Sequence, residues 1–495
     1  MTAAATPAPS PATTGEQPGV RLARSRRNSE LSLLLLAMVL VAAYGATVEA
    51  NVLDTVSPDF WVPAAALGLV FLGLHLVIRW LAPFADPALL PAVALLNGIG
   101  VGFLRRYDLA RATPAEREDL AIFAGTGGRQ LAWTLGAVLL AAGLLALMRD
   151  HRSLSRYAYT LGLAGIVLVM IPAVLPGRFS EINGAKLWIR IGGFTIQPGE
   201  FAKLALLAFF AYYLVRKREV LSLASRRVLG IDFPRGRDLG PVLVVWLISL
   251  LVLVFEKDLG TSLLYFGMFV VTLYIATERV SWLLIGLTLF FGGAYLAYVL
   301  GASVGGPFAN FYDRAQIWLD PFAEPYDRGY QLVQGLLTLG TGGLFGAGPG
   351  GGQPTLLPEV QTDFIFAGIG EEIGLLGLSA LLVTYLLIVE RGLRAALEVR
   401  DSFGKLLAGG LAFTLGLQVF VIIGGISKLI PLTGQTTPFL SAGGSSLMAN
   451  WLLIAVLLRV SDGARRPVAA GGVASRPSGT PPEQLHGAPT EVIRP

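Results

Sequence analysis

The sequence predicts an all-α, polytopic integral membrane protein with about twelve transmembrane helices, and three observations carry that reading. Hydrophobic residues make up 54% of the chain and charged residues only 14%, where a soluble domain carries about 25% charge. The mean hydropathy is +0.64. The apolar residues gather in runs that approach the length needed to cross a hydrocarbon core, about 20 residues per helix.

Taken in order, the first runs are Leu31–Val48, Trp61–Arg79, Ala88–Leu104, Leu131–Met148 and Tyr157–Leu175. Glu200–Val215 follows Pro198, which suits the first turn of a helix. Leu239–Phe255 and Leu259–Ala276 are one apolar stretch interrupted by Glu256, Lys257 and Asp258. Trp282–Leu300 comes next, then Asp363–Val389, which opens on Thr362 and Asp363 as N-cap and first helical residue. Leu406–Ile426 and Leu447–Leu458 close the set. Residues 1–29 are Ala-, Pro- and Thr-rich, then basic, and read as a disordered cytoplasmic arm without a cleavable signal pattern. Residues 463–495, rich in Gly, Pro and Ala, read as a disordered cytoplasmic tail.

Lys and Arg fix the expected orientation. The loops holding Arg149–Arg156, Arg216–Arg237 and Arg391–Lys405 share one side with both termini, which makes that side cytoplasmic and the protein multi-pass in the cytoplasmic membrane. The loop Arg105–Gln130 is an exception, with five arginines on the outer side, partly offset by Asp108, Glu116, Glu118 and Asp119. Four polar segments then face outward: Pro176–Gly199, Glu256–Gly260, Gly301–Thr362 and Ser427–Ser446. The net charge of +5 lies mostly in short loops, which reads as membrane topology and not as nucleic-acid binding.

The chain has no cysteine, which excludes disulfides and thiolate metal sites. Three scattered histidines, His75, His151 and His486, offer no histidine metal site. No motif indicates a cofactor, and a carboxylate-bound Mg²⁺ assisting a diphosphate stays open. There is no nucleotide loop, and the GTGG and GAGPGGG runs read as flexible turns. The Gly-rich, Pro-broken stretch within Tyr330–Gly374 cannot lie bare in lipid, because its backbone N–H and C=O groups would go unpaired.

Several polar groups need an account beyond topology. Lys186, Trp188 and Arg190 alternate, which puts them on one face of an extended segment, and outward cations suit an anionic ligand such as a phosphate. Lys257 and Asp258 either form a solvated turn or wall an outward cavity. Glu371 and Glu372, two turns inside a span, face the bundle interior as a structural contact or a ligand site. Lys428, Gly443, Gly444, Ser445 and Ser446 belong to the last outer loop, which either permits close helix packing or binds a phosphate.

Together, GAKLWIRIGGFTIQPGEFAKL, EKDLGTSLL, LDPFAEPYDRGYQLVQ, LPEVQTDFIFAGIGEEIGLLG and LIPLTGQTTPFLSAGGSSL resemble, in that order, the shape, elongation, division and sporulation family of RodA and FtsW. The resemblance covers about Ala88–Ser461. It implies a ten-helix glycosyltransferase core over 88–462 with a large outer loop at about 301–362, preceded by two additional helices within 30–87. Those helices and the ending SDGARRP look like the actinobacterial RodA branch, which implies a role in cell elongation and shape. The family implies a peptidoglycan glycosyltransferase that polymerises lipid II at the outer membrane face beside a class B penicillin-binding protein.

The family's catalytic carboxylate is an aspartate before GYQ. Its alignment onto LDPFAEPYDRGYQ falls on Glu324, one methylene longer, with Asp327 and Asp320 nearby. Ala442 also departs from the family, which has Tyr before GGSS. The resemblance implies Glu324 as general base, its pKa raised by apolar surroundings. Lys186, Arg190, Lys257, Asp258, Lys428, Thr362, Asp363, Glu371, Ser445 and Ser446 would serve the sugar–diphosphate substrate. Two other readings use the same residues: a flippase for lipid-linked precursors, and a non-catalytic scaffold for a penicillin-binding protein.

Overall fold

The computed structural model describes residues 18–113, 116, 125–182, 185–191, 194–221, 224–228, 231–234, 240, 243–245, 247–248, 252 and 258–467. Among the described residues, ten helices are long and apolar enough to cross a membrane. They are α1 (Pro18–Leu53), α2 (Trp61–Leu81), α3 (Leu89–Arg111) and α4 (Gly125–Leu147), then α6 (Pro198–Leu221), α7 (Leu259–Thr277) and α8 (Val280–Ser303). The kinked α11 (Ile365–Glu398), α12 (Ser402–Ile426) and α13 (Gly444–Arg465) complete them. A shorter apolar helix, α5 (Ala158–Val174), matches the expected span Tyr157–Leu175. The expected span Leu239–Phe255 lies mostly outside the described residues.

Two helices between spans build the large loop: α9 (Ala309–Leu319) and α10 (Tyr330–Gly342). The segment before α6 forms two short antiparallel hairpins, β1 (Glu181–Ile182) with β2 (Ala185–Lys186), and β3 (Ile189–Ile191) with β4 (Phe194–Ile196). A third hairpin, β5 (Ala224–Val228) with β6 (Ile231–Pro234), follows α6.

Polar side chains stitch the apolar helices together. Asn97 on α3 donates to Thr134 Oγ1 on α4 (3.2 Å) and accepts from Trp451 Nε1 on α13 (3.3 Å). Trp451 also stacks on Phe71, which locks the additional helix α2 to the core. At the basic end, Arg465 meets Asp86 at 2.9 Å and Glu398 at 2.7 Å, and Arg459 donates to Leu81 O at 2.6 Å.

The same end corrects the expected disordered arm, because the chain is helical from Pro18 onward. The reason is burial of charge with partners. Arg27 donates to Glu30 Oε2 (2.6 Å) and to the Ala85 carbonyl, and Glu30 Oε1 lies 2.7 Å from His75 Nδ1. A buried guanidinium so held fixes the backbone that carries it.

The arginines that break the charge rule near α3 are also paired. Arg106 meets Glu372 at 3.1 Å and Arg105 lies 3.5 Å from Glu49. Asp108 accepts from the backbone N–H groups of Thr126 (2.9 Å) and Gly127 (2.8 Å) at the start of α4.

The helix α11 breaks at Gly374, whose φ of 66° suits glycine. The Gly-rich loop 343–352 fills the break. Ala347 and Gly348 donate to the carbonyls of Glu371 (2.8 Å) and Glu372 (2.9 Å), while Leu375 and Leu376 donate to Gly343 O (3.0 Å) and Leu344 O (3.1 Å). The loop is thus a packed partner of a broken helix and not the flexible turn expected. These bonds satisfy part of its backbone against protein, which a non-helical segment between apolar spans needs. A Cβ on Gly374 would collide with the Gly346 nitrogen.

Candidate active site

The polar segments meet on one face of the bundle. Glu324 lies on an exposed turn between α9 and α10. The turn is closed by Asp327 N–H and Gly329 N–H donating to Glu324 O at 3.2 and 3.0 Å. Gly329 is required there, because a Cβ would collide with Pro321 O. Both Glu324 carboxylate oxygens accept from Arg328, at 2.7 and 2.8 Å, and Arg328 also reaches Asp313 at 3.3 Å. This corrects the expected electrostatics. Glu324 does not lie against apolar surface; its hydrogen bonds with Arg328 hold its pKa below the ordinary glutamate value. Asp320 and Asp327 are exposed on the same turn.

A second group gathers where α7, α9, α11 and the last loop meet. Asp258 is buried and caps α7, accepting from Thr261 N–H at 3.0 Å and from the Thr261 hydroxyl. Burial raises its pKa, against the pull of those hydrogen bonds and of Arg314. Arg314, on α9, donates to Leu432 O (2.7 Å) and Asn310 Oδ1 (3.0 Å). Asp363 faces the same arginine. Burial and the nearby Glu359 raise it to about 7, opposed by Arg314 and helped by Asp258. Gln435 completes the group by donating to Thr261 Oγ1 at 3.0 Å.

The third feature is a cavity of about 670 Å³ between α4, the β3–β4 hairpin and the last loop. Arg129, Trp133, Trp188, Gln197, Thr436 and Ser445 are among its lining residues. Ser445 and Ser446, both buried, begin α13 beside it. Ser445 Oγ accepts from Gln197 N–H at 3.0 Å, and Ser446 Oγ accepts from Asn450 at 3.2 Å. The last loop is pinned by Ser441 donating to Thr362 O (2.5 Å), by Ala442 N–H donating to Gln361 O (2.8 Å), and by Tyr385 donating to Pro438 O. Gln435 Oε1, Thr436 Oγ1 and Thr437 Oγ1 are buried without a hydrogen-bond partner among the described residues.

The expected residues are therefore divided. Asp258 and Asp363 come together through Arg314. Arg190 lies on β3 and donates to Glu181 O at 2.8 Å, and Lys186 pairs in register with Glu181. Among the described residues, neither cation reaches Glu324 by hydrogen bond or ion pair. Lys257 lies outside the described residues. Lys428 has a left-handed backbone, φ 62°, and its carbonyl accepts from Trp318 Nε1 at 3.1 Å. Thr362 does not cap α11, which starts at Ile365; its hydroxyl turns back to Glu359 O (3.2 Å) and Oε2 (3.1 Å).

Glu371 accepts from Gln353 N–H at 3.0 Å, and the buried Glu372 accepts from Tyr44 (3.0 Å) and Arg106 (3.1 Å). Both carboxylates thus hold contacts within the protein. Below the last loop, buried Lys203 donates to Glu200 (2.7 Å) and Gln418 (2.9 Å), so Glu200 does more than start a helix.

Sequence reasoning missed Arg314 and Arg328. Both are cations in a segment expected to face outward, the same signal that singled out Lys186 and Arg190. A metal fits this site poorly. Among the described residues no three acidic or histidine side chains are set to hold one ion, and Asp258 and Asp363 already face a guanidinium.

Residues 87–466 match the family model of FtsW, RodA and SpoVE described as "Cell cycle protein". The chain belongs to this family. It is 48% identical over 469 residues to "Peptidoglycan glycosyltransferase RodA" of Mycobacterium tuberculosis, covering 95% of this chain and 96% of the relative. It is 37% identical over 298 residues to "Stage V sporulation protein E" of Bacillus subtilis, covering 60% of this chain and 75% of that one. A solved chain from "Structural coordination of polymerization and crosslinking by a peptidoglycan synthase complex" superposes with a TM-score of 0.58 at 27% identity, covering 77% of this chain and 99% of that one. The RodA crystal structure from Thermus thermophilus gives 0.52 at 26% identity, over 77% and 98%. The FtsW, RodA and SpoVE family match begins after α1 and α2.

Proposed function

We propose that this chain is a peptidoglycan glycosyltransferase that polymerises lipid II into glycan strands at the outer face of the cytoplasmic membrane, in cell elongation. The carrying observation is the run of buried, unpartnered polar atoms on Gln435, Thr436 and Thr437, with Thr436 on the cavity wall. Buried polar groups are normally satisfied within the protein. One of the three, Thr436, stands on the cavity wall, where a hydroxyl-rich ligand can supply the missing partner. The family membership and the 48% identity to a peptidoglycan glycosyltransferase support the same reading.

The reaction joins the sugar 4-hydroxyl of one lipid-linked disaccharide to the anomeric carbon of another. The C–O bond to the undecaprenyl diphosphate breaks, and the diphosphate leaves with the bonding pair. Glu324 takes the hydroxyl proton. Arg328 holds that carboxylate ionised, and a substrate diphosphate offers Arg328 an alternative partner, which frees Glu324 to accept the proton. Lys186, Arg190 and Lys428, with Lys257, supply positive charge for the leaving group. No step is assigned to Mg²⁺.

One observation favours a second assignment of the base. Asp363, raised to about 7, is better matched than Glu324 to proton transfer near neutral pH. The partner is a class B penicillin-binding protein, supported by the likeness to a chain from a complex of polymerisation and crosslinking.

The test is purified protein in detergent with lipid II. Glycan strands are expected. A flippase has no second compartment in detergent and a scaffold has no chemistry, so neither would make product.

A further inference from the structure

The additional helix α1 does more than lie beside the core. Tyr44, buried on α1, donates to Glu372 Oε2 at 3.0 Å. One turn of α1 further on, Val48 approaches the Gly-rich loop: a Cβ on Gly350, whose φ is 87°, would stand 3.1 Å from Val48 O. Asn51 then donates to Pro349 O at 2.7 Å. Arg106 closes the group from α3, binding Glu372 at 3.1 Å and Gly352 O at 2.6 Å. The loop is therefore held between the break in α11 and the outer end of α1.

What the loop controls follows from chain order. It continues directly from α10, a helix of 13 residues, or about 20 Å. The other end of α10 follows the turn that carries Glu324, with Tyr330 N–H donating to Asp327 O at 3.1 Å. Fixing the C-terminal end of α10 constrains where its N-terminal end, and so Glu324, can sit. We propose that α1 clamps loop 343–352 and, through α10, is a positioning element for the active-site turn. This inference rests on the proposed function for its catalytic consequence but not for the clamp itself. Tyr44 and Asn51 are positioning residues, with no part in the chemistry.

Two readouts on the full-length protein test it. In Tyr44→Phe/Asn51→Ala, backbone hydrogen exchange of residues 343–352 should quicken by about tenfold or more, while the membrane helices keep their protection. With lipid II, kcat should fall by about tenfold and KM should stay within about twofold. Leu35→Ala, on a lipid-facing part of α1, should change neither readout. Unchanged exchange in the loop overturns the clamp, and so does quickened exchange spread over the whole molecule. A loosened loop with unchanged kcat, or a loss carried by KM, overturns the positioning role. If the wild-type protein makes no glycan, the proposed function fails, and the exchange result still decides the clamp.

Discussion

Glu324 and Asp363 are carboxylates displaced in opposite directions by their neighbours. Arg328 lowers Glu324, and burial raises Asp363 to about 7. If Glu324 is the base, the acidic limb of kcat/KM lies below the ordinary glutamate range. Arg328→Ala should then move that limb upward, because the hydrogen bonds that favour the ionised form are gone. A wild-type limb near 7 would instead assign the proton transfer to Asp363. Asp363 also makes a stability prediction. Its folded value lies above its ordinary 3.8, so between the two the folded chain keeps a proton that the unfolded chain has lost. Stability therefore falls as pH rises from about 4 to about 7, and levels off above. Asp363→Asn should flatten that slope in thermal unfolding at pH 5 and pH 8; an unaltered slope would contradict the assignment.

At the scale of elements, the break in α11 and the Gly-rich loop form one unit. Gly374 combines a left-handed backbone with a close approach to Gly346, so Gly374→Ala should cost about 2 kcal/mol or more. A lowered thermal midpoint with faster loop exchange would show this, and an unchanged midpoint would contradict it. The apolar runs made the spans legible in the sequence, because a membrane helix advertises itself by composition. The break was not legible. The GAGPGGG run announces only that some backbone needs glycine, while the partner that satisfies it, the carbonyls of Glu371 and Glu372, lies about 25 residues on. The start of α11 was misplaced for a related reason: Thr362 has the chemistry of a cap, but its hydroxyl donates to Glu359 and its carbonyl accepts from Ser441.

For the whole molecule, the division of charge predicts the orientation. The chain has no cysteine, so a single introduced one reports its side without background. In intact spheroplasts, Tyr326→Cys should react with an impermeant maleimide, and Arg394→Cys should react only after lysis. The reverse pattern would invert the topology. The convergence of distant polar segments was only partly legible. The Lys and Arg distribution placed Asp258, Asp363, Ser445 and the Glu324 turn on one face, because loops of one side must share it. Which of them touch depends on helix packing, and there Arg328 holds Glu324, Arg314 holds the Leu432 carbonyl, and Arg190 turns to the Glu181 carbonyl. The role of α1 was hidden for the same reason, since Tyr44 and Glu372 are 328 residues apart.

The most direct measurement is polymerisation of lipid II by purified Glu324→Gln, set beside wild type and Asp363→Asn. Glu324→Gln should be folded and membrane-embedded and should form no glycan. Normal strands from Glu324→Gln would contradict this and take that carboxylate out of the chemistry.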